Sequence, residues 1–162
     1  MRFNLLFHTS FINLIFSLLV PFVSHTNELK YIFKSGSEGY NTFRIPSIIT
    51  TDSGVVLAFA EGRKNSSSDS GDIDLVLKRS IDGGKTWGDL IIIRDDSTNV
   101  CGNPSPVIDR KTGKIFLLST WNRGDDTESE IINMTSVDTR RVYVMNSIYE
   151  GLSWSNQIEI TD

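Results

Sequence analysis

Histidine is nearly missing from this chain: among 162 residues only His8 and His25 are histidine, and both fall in the first 26 positions. That stretch reads as a leader, so the remainder carries no imidazole. Ser-His-Asp and Cys-His nucleophilic chemistry is thereby removed, and a zinc centre loses its commonest nitrogen ligand. Cysteine is almost as scarce. A lone Cys101 cannot close an internal disulfide, so a core and not a set of staples must hold the fold; Cys101 itself reads as a small buried strand-end residue. Clustered positive charge is also wanting. The adjacent basic pairs Arg63-Lys64, Lys78-Arg79, Arg110-Lys111 and Arg140-Arg141 lie far apart, and the formal net charge is −4, which argues against a nucleic-acid partner. Long apolar runs are absent too: Phe11 to Val23, broken by Asn13, Ser17 and Pro21, is only thirteen residues and too short to span a bilayer comfortably.

What is present begins with that leader. Arg2 supplies a positive start, Phe11–Val23 an apolar middle, and Ser24 to Thr26 a small or polar end. Residues 1–26 are therefore expected to be a secretory signal peptide, with an uncleaved membrane anchor as the alternative. Secreted, periplasmic or cell-surface localisation follows from the first reading. Residues 27–162 are long enough for one domain, and with 39% apolar and 22% charged residues in the chain the composition suits a soluble globular fold. Short runs of Ile, Val, Leu, Phe and Tyr alternate with Gly, Asp, Asn and Ser clusters, and no long stretch has helical period. Strands are expected near 29–33, 44–50, 55–61, 72–79, 89–94, 105–109, 114–121, 140–147 and 155–161, with hairpin turns at Asp52-Ser53-Gly54 and Thr112-Gly113. The class is all-β.

An internal repeat organises these strands. Ser80-Ile81-Asp82-Gly83-Gly84-Lys85-Thr86-Trp87 recurs 67 residues later as Ser147-Ile148-Tyr149-Glu150-Gly151-Leu152-Ser153-Trp154, keeping Ser, Ile, Gly and Trp. Each copy follows three expected strands and precedes a fourth, the pattern of β-propeller blades. In such a turn Asp82 accepts hydrogen bonds from nearby groups, glycine permits positive φ, and Trp87 packs on the blade. Ser80, Asp82, Gly84, Thr86 and Trp87 are thus assigned a structural and not a catalytic role. The second copy has Tyr149 where the first has Asp82.

Arg44 in Phe43-Arg44-Ile45-Pro46, Arg63 closing Ala60-Glu61-Gly62-Arg63, Asp69 six residues on, and the Asp-box turn come in an order and at distances that resemble the N-terminal part of a bacterial-type exo-sialidase (neuraminidase) with Asp-box repeats. The resemblance implies the first two four-stranded blades of a six-bladed propeller. It implies that Arg44 is the first of three arginines gripping the carboxylate of sialic acid, since a planar guanidinium pairs two hydrogen bonds with a carboxylate. Arg63 matches an accessory arginine beside the acid/base residue, and Asp69, in the polar loop Lys64–Gly71, matches that acid/base aspartate. Asp72 and Asp74 compete for this part, but they alternate along an expected strand, whereas Asp69 has the family's spacing and a mobile serine-rich loop. Asn103, before Pro104, is either a sugar contact or a turn residue. Trp121 and its neighbour Asn122 belong either to the substrate pocket or, for the tryptophan, to the core. The acidic loop 122–132, with Asp125, Asp126, Glu128 and Glu130, reads as a solvated loop in preference to a calcium site.

The family's tyrosine nucleophile, its activating glutamate and the remaining two triad arginines match nothing here; Tyr31, Tyr40, Tyr143 and Tyr149 lack that context. The expectation is therefore an incomplete N-terminal piece of a retaining exo-α-sialidase, inactive by itself, acting without metal or organic cofactor. Its partners would be sialylated glycoproteins, glycolipids or oligosaccharides. A non-catalytic Asp-box propeller that binds sialylated glycans and a trans-sialidase are the alternatives.

Overall fold

Leu57, Phe59, Leu75 and Leu77 alternate with smaller or polar neighbours, and alternation of this kind buries one side of a strand pair. The computed structural model describes residues 29–162, and the leader assigned to 1–26 lies outside them. Residues Tyr31–Asp162 form one unit. Its first half is an antiparallel meander of β1 (Thr42–Thr50), β2 (Val56–Arg63), β3 (Ile73–Ser80) and β4 (Ile91–Arg94). Its second half repeats the plan with β5 (Val100–Ile108), β6 (Ile115–Asn122), β7 (Arg141–Ser147) and β8 (Ile158–Glu159). A single parallel pairing, Ile73 with Val100, joins the two. The strand order β1-β2-β3-β5-β6-β7-β8, with β4 beside β3, leaves the sheet open.

One apolar cluster crosses both meanders. Leu57, Phe59, Leu75 and Leu77 come from the first, and Cys101, Ile115, Leu117 and Met145 from the second. Trp154 of the second Asp-box copy closes edge-on to Phe59, ring centroids 6.0 Å apart. Burial holds the Cys101 thiol up at about 12, so it is an inert filler of this core. The opposite face of β2 and β3 carries a smaller cluster of Tyr40, Ala60 and Val76, covered by Phe33, Phe43 and Leu90.

Both Asp-box copies are tight turns. In the first, Asp82 accepts from the Ser80 hydroxyl at 2.7 Å, the Thr86 amide at 2.9 Å and the Thr86 hydroxyl at 2.6 Å, while Ser80 Oγ accepts from the Gly84 amide at 2.8 Å. Gly83 and Gly84 both have positive φ, and Trp87 is half-buried. The second copy keeps the serine bond, Gly151 N–H to Ser147 Oγ at 3.0 Å. With Tyr149 in place of the aspartate, its side chain cannot make the corresponding acceptor set.

Four expectations need correction, the first being the strand expected at 155–161, of which only Ile158–Glu159 pairs as β8. Residues 29–33 are not a strand; Lys34 to Tyr40 turns back on itself, the Gly36 amide reaching the Tyr40 and Asn41 carbonyls, so the segment docks Phe33 on Phe43 and Tyr40 without pairing. β5 starts at Val100 and not near 105, because a bulge between Gly102 and Ser105 interrupts its register and hides the strand's continuity. The 122–132 loop contains a short helix, α1 (Glu128–Ile132), opened by a capping box between Thr127 and Glu130. Its Asp126 is buried and accepts the Val137 and Asp138 amides, so part of that acidic run is internal scaffolding.

Candidate active site

The two leading strands carry matching irregularities. β1 is bulged between Arg44 and Ser47, and β5 between Gly102 and Ser105. Within each, the residue before proline takes a left-handed backbone: Ile45 at φ +51° and Asn103 at φ +54°. For a β-branched residue this conformation costs on the order of 1–3 kcal/mol, and bulges of this kind re-aim side chains beside sites. The bulges lie level with the end of β2, where Arg44 pairs with Glu61, and with the end of β6, where Val100 pairs with Asn122. A cleft of about 220 Å³ opens there, lined by Ile45, Glu61, Arg63, Asp69, Asn103 and Arg140 among others.

Arg63 organises the cleft. Its side chain is buried, and its guanidinium makes five hydrogen bonds: two to Glu61 Oε2 (3.1 and 2.6 Å), one to each of the Ser67 and Ser68 carbonyls (2.6 Å), and one to Asp69 Oδ1 (2.7 Å). A guanidinium has five N–H donors. All are used. The serine-rich loop is thereby held by its backbone, and Asp69 is carried over the cleft with its side chain more than half exposed.

Arg44 reaches the same carboxylate oxygen from β1, Nη1 to Asp69 Oδ1 at 3.0 Å, with a further contact to the Ser67 carbonyl at 3.3 Å. Its side chain is nearly half exposed. The hydrogen bond from Arg63, reinforced by the charges of Arg63, Arg44 and Arg140, holds the Asp69 carboxyl below the usual carboxylate range.

The competing aspartates are placed elsewhere. Asp74 is fully buried, accepts the Tyr40 hydroxyl at 2.7 Å and lies 3.2 Å from Lys64 Nζ; burial raises its pKa. Asp72 also meets Lys64 at 3.2 Å. Strand alternation sends both to the Lys64 side, away from Asp69. Asn103 lines the cleft and donates from Nδ2 to Thr120 Oγ1 at 2.8 Å. Trp121 is not brought to the cleft: it packs on the main core and its indole N–H donates to Asp96 at 2.5 Å, because it alternates with Thr120 and Asn122. Asn122 does line the cleft. None of the described tyrosines lines it.

Three lining residues escaped the reading of the sequence: Glu61, Glu128 and Arg140. Arg140 is held by Asn122 Oδ1 at 3.3 Å, at the end of β6, and approaches Glu128 of α1 at 3.7 Å. A sequence signal did exist for the bulges, since Pro46-Ser47 recurs as Pro104-Ser105.

Comparison with known proteins gives this cleft its context. An exo-alpha-sialidase of Arthroderma benhamiae is 34% identical over 140 residues, covering 76% of this chain and 34% of that protein. A sialidase of Clostridium perfringens is 32% identical over 148 residues, covering 86% of this chain and 37% of its own length. This stretch of chain belongs to the sialidase family. Among solved structures, the Hadza microbial sialidase Hz136 superposes with a TM-score of 0.69 at 29% identity, covering 78% of this chain and 27% of that one. The all-β meanders are accordingly part of a sialidase-type β-propeller fold. No protein-family model matches the chain. The sialidase-family chain spans about a third of the length of the curated relatives it matches.

Proposed function

We propose that the chain supplies the first two of six blades of a secreted exo-α-sialidase, and with them the Arg44 anchor and the Asp69 acid/base of its active site. The observation that carries this reading is the convergence of Arg44 and Arg63 on one exposed carboxylate at the mouth of a cleft. A partly exposed arginine beside a loop carboxyl is what removal of an acidic sugar requires: a cation for the sugar's fixed carboxylate and a proton carrier for the glycosidic oxygen.

Asp69 holds the place on Arg44 that a sugar carboxylate would take. Binding would separate the two. Asp69 then keeps Arg63 but exchanges one cationic neighbour for an anionic one, and its proton affinity rises toward what a general acid needs. Retention of configuration, through a tyrosine nucleophile with its glutamate and two further arginines, is assigned to the rest of the domain. Sialylated glycoproteins, glycolipids or oligosaccharides are the proposed substrates. Among the described residues no helix is long and apolar enough to cross a membrane.

The test is hydrolysis of a fluorogenic sialoside by the protein extended to the length of its relatives. Arg44→Ala should raise KM strongly and Asp69→Ala should depress kcat by at least about a hundredfold. Hydrolysis indifferent to Arg44→Ala refutes the carboxylate anchor, and binding without hydrolysis favours the glycan-binding module.

A further inference from the structure

Glu61 is buried at the floor of the cleft and touches both meanders. Its Oε2 takes Nε and Nη2 of Arg63, and its Oε1 takes the Asn103 amide at 2.9 Å. The room for this reach is a notch at Gly102: a Cβ there would stand 2.5 Å from Glu61 Oε1. Glu61 also pairs across the ladder with Arg44. Two site residues on two different meanders, Arg63 and Asn103, thus meet one carboxylate.

We propose that Glu61 is the positioning residue of the cleft: it fixes the edge of Arg63 that faces away from Asp69 and pins the left-handed turn at Asn103, setting the spacing between the acid/base loop and the second meander. With Nε and one Nη2 hydrogen committed to Glu61, Arg63 has one direction left for Asp69, and its plane cannot rotate. The left-handed turn at Asn103 interrupts the ladder, and its amide would be left without a backbone partner beside a bulge, so an acceptor from the facing meander keeps it in place. Glu61 acts through these neighbours and need not touch a ligand. Charge is part of the arrangement. Asp69 faces Arg63 from β2 and Arg44 from β1, with Arg140 farther off; Glu61 and Glu128 are the anions lining the same cleft. Glu61 therefore shares Arg63 with Asp69 and limits how strongly that cation holds it.

The inference rests on Arg63 and Asp69 belonging to the proposed site, but its test is spectroscopic, so an inactive protein can satisfy it and an active one can fail it. In the 162-residue chain, NMR should show slow solvent exchange of the Arg63 Nε–H and the Asn103 amide; rapid exchange of either overturns the proposal without any variant. Glu61→Gln offers an oxygen to only one of the two partners. Whichever of the Asn103 amide and the Arg63 Nε–H then faces the glutamine NH2 should exchange about tenfold faster or more, as loss of a charge-assisted bond implies, and Asp69 should titrate at lower pH than in the unmodified chain. Gly102→Ala leaves every charge in place but fills the notch, and should deprotect the Asn103 amide. Unchanged exchange of both the Arg63 Nε–H and the Asn103 amide or an unmoved or raised Asp69 titration in Glu61→Gln, or a protected Asn103 amide in Gly102→Ala, contradicts the assignment.

Discussion

Asp69 shows how much one side chain's surroundings decide. The Arg63 hydrogen bond depresses its pKa, so any stability it contributes is fully present above the unfolded aspartate value and is lost as pH falls through its lower folded value. Asp69→Asn should flatten that part of the acid-unfolding curve, followed by circular dichroism between mildly and strongly acidic pH. The exposure of this carboxyl keeps the effect small. The same substitution frees Arg44 and should tighten binding of a simple carboxylate such as acetate. Asp82 has its carboxyl held low by the Thr86 and Ser80 bonds, yet nothing places it near the cleft. Asp82→Ala should lower the melting temperature and leave the Arg63 and Asp69 signals unmoved. That Arg44, Arg63 and Asp69 would lie together was legible from their order and spacing along the chain. Glu61 was not: a glutamate at a strand end looks like any solvent-facing residue until the fold shows what lies opposite it.

Strands and turns were read from two kinds of signal, and these differ in reliability for physical reasons. β2, β3, β6 and β7 follow apolar runs with turn residues at both ends, so existence and extent were both visible. β1 and β5 are broken by bulges that put proline and a left-handed residue in mid-strand, and the second was therefore read too short. Helix α1 depends on a capping box and not on apolar periodicity; none of its residues is buried, so it left no hydrophobic pattern to detect. The hairpin packing makes a direct forecast. Leu77 is fully buried on β3, and Gly151 stands so close that a Cβ would meet Leu77 at 2.9 Å. Leu77→Ala should cost about 2–5 kcal/mol in urea unfolding. Gly151→Ala should also destabilise, since its φ is +78° and the space is filled.

The two meanders are tied at several levels across their seam. Glu61 meets Asn103, the Gly71 amide donates to the Gly124 carbonyl at 2.8 Å, Arg79 Nε donates to the Glu150 carbonyl at 2.8 Å, and Phe59 meets Trp154. Phe59 has no exposed surface, and Phe59→Ala should cost about 3–5 kcal/mol while loosening both halves together. The repeat at 80 and 147 announced this architecture, whereas a count of six blades is an expectation that rests on the family resemblance alone. Ile48, Val107, Leu118 and Ile158 remain exposed on an open sheet, so the isolated chain is expected to self-associate in sedimentation experiments.

The decisive measurement is an NMR titration of the 162-residue chain with N-acetylneuraminic acid, set beside the same titration with its methyl ester. The free acid should move the Arg44 guanidinium and Asp69 carboxyl signals together as the sugar's carboxylate replaces Asp69 on Arg44, and the ester should move neither. Equal responses to acid and ester, or shifts confined to residues away from this cleft, would contradict the account.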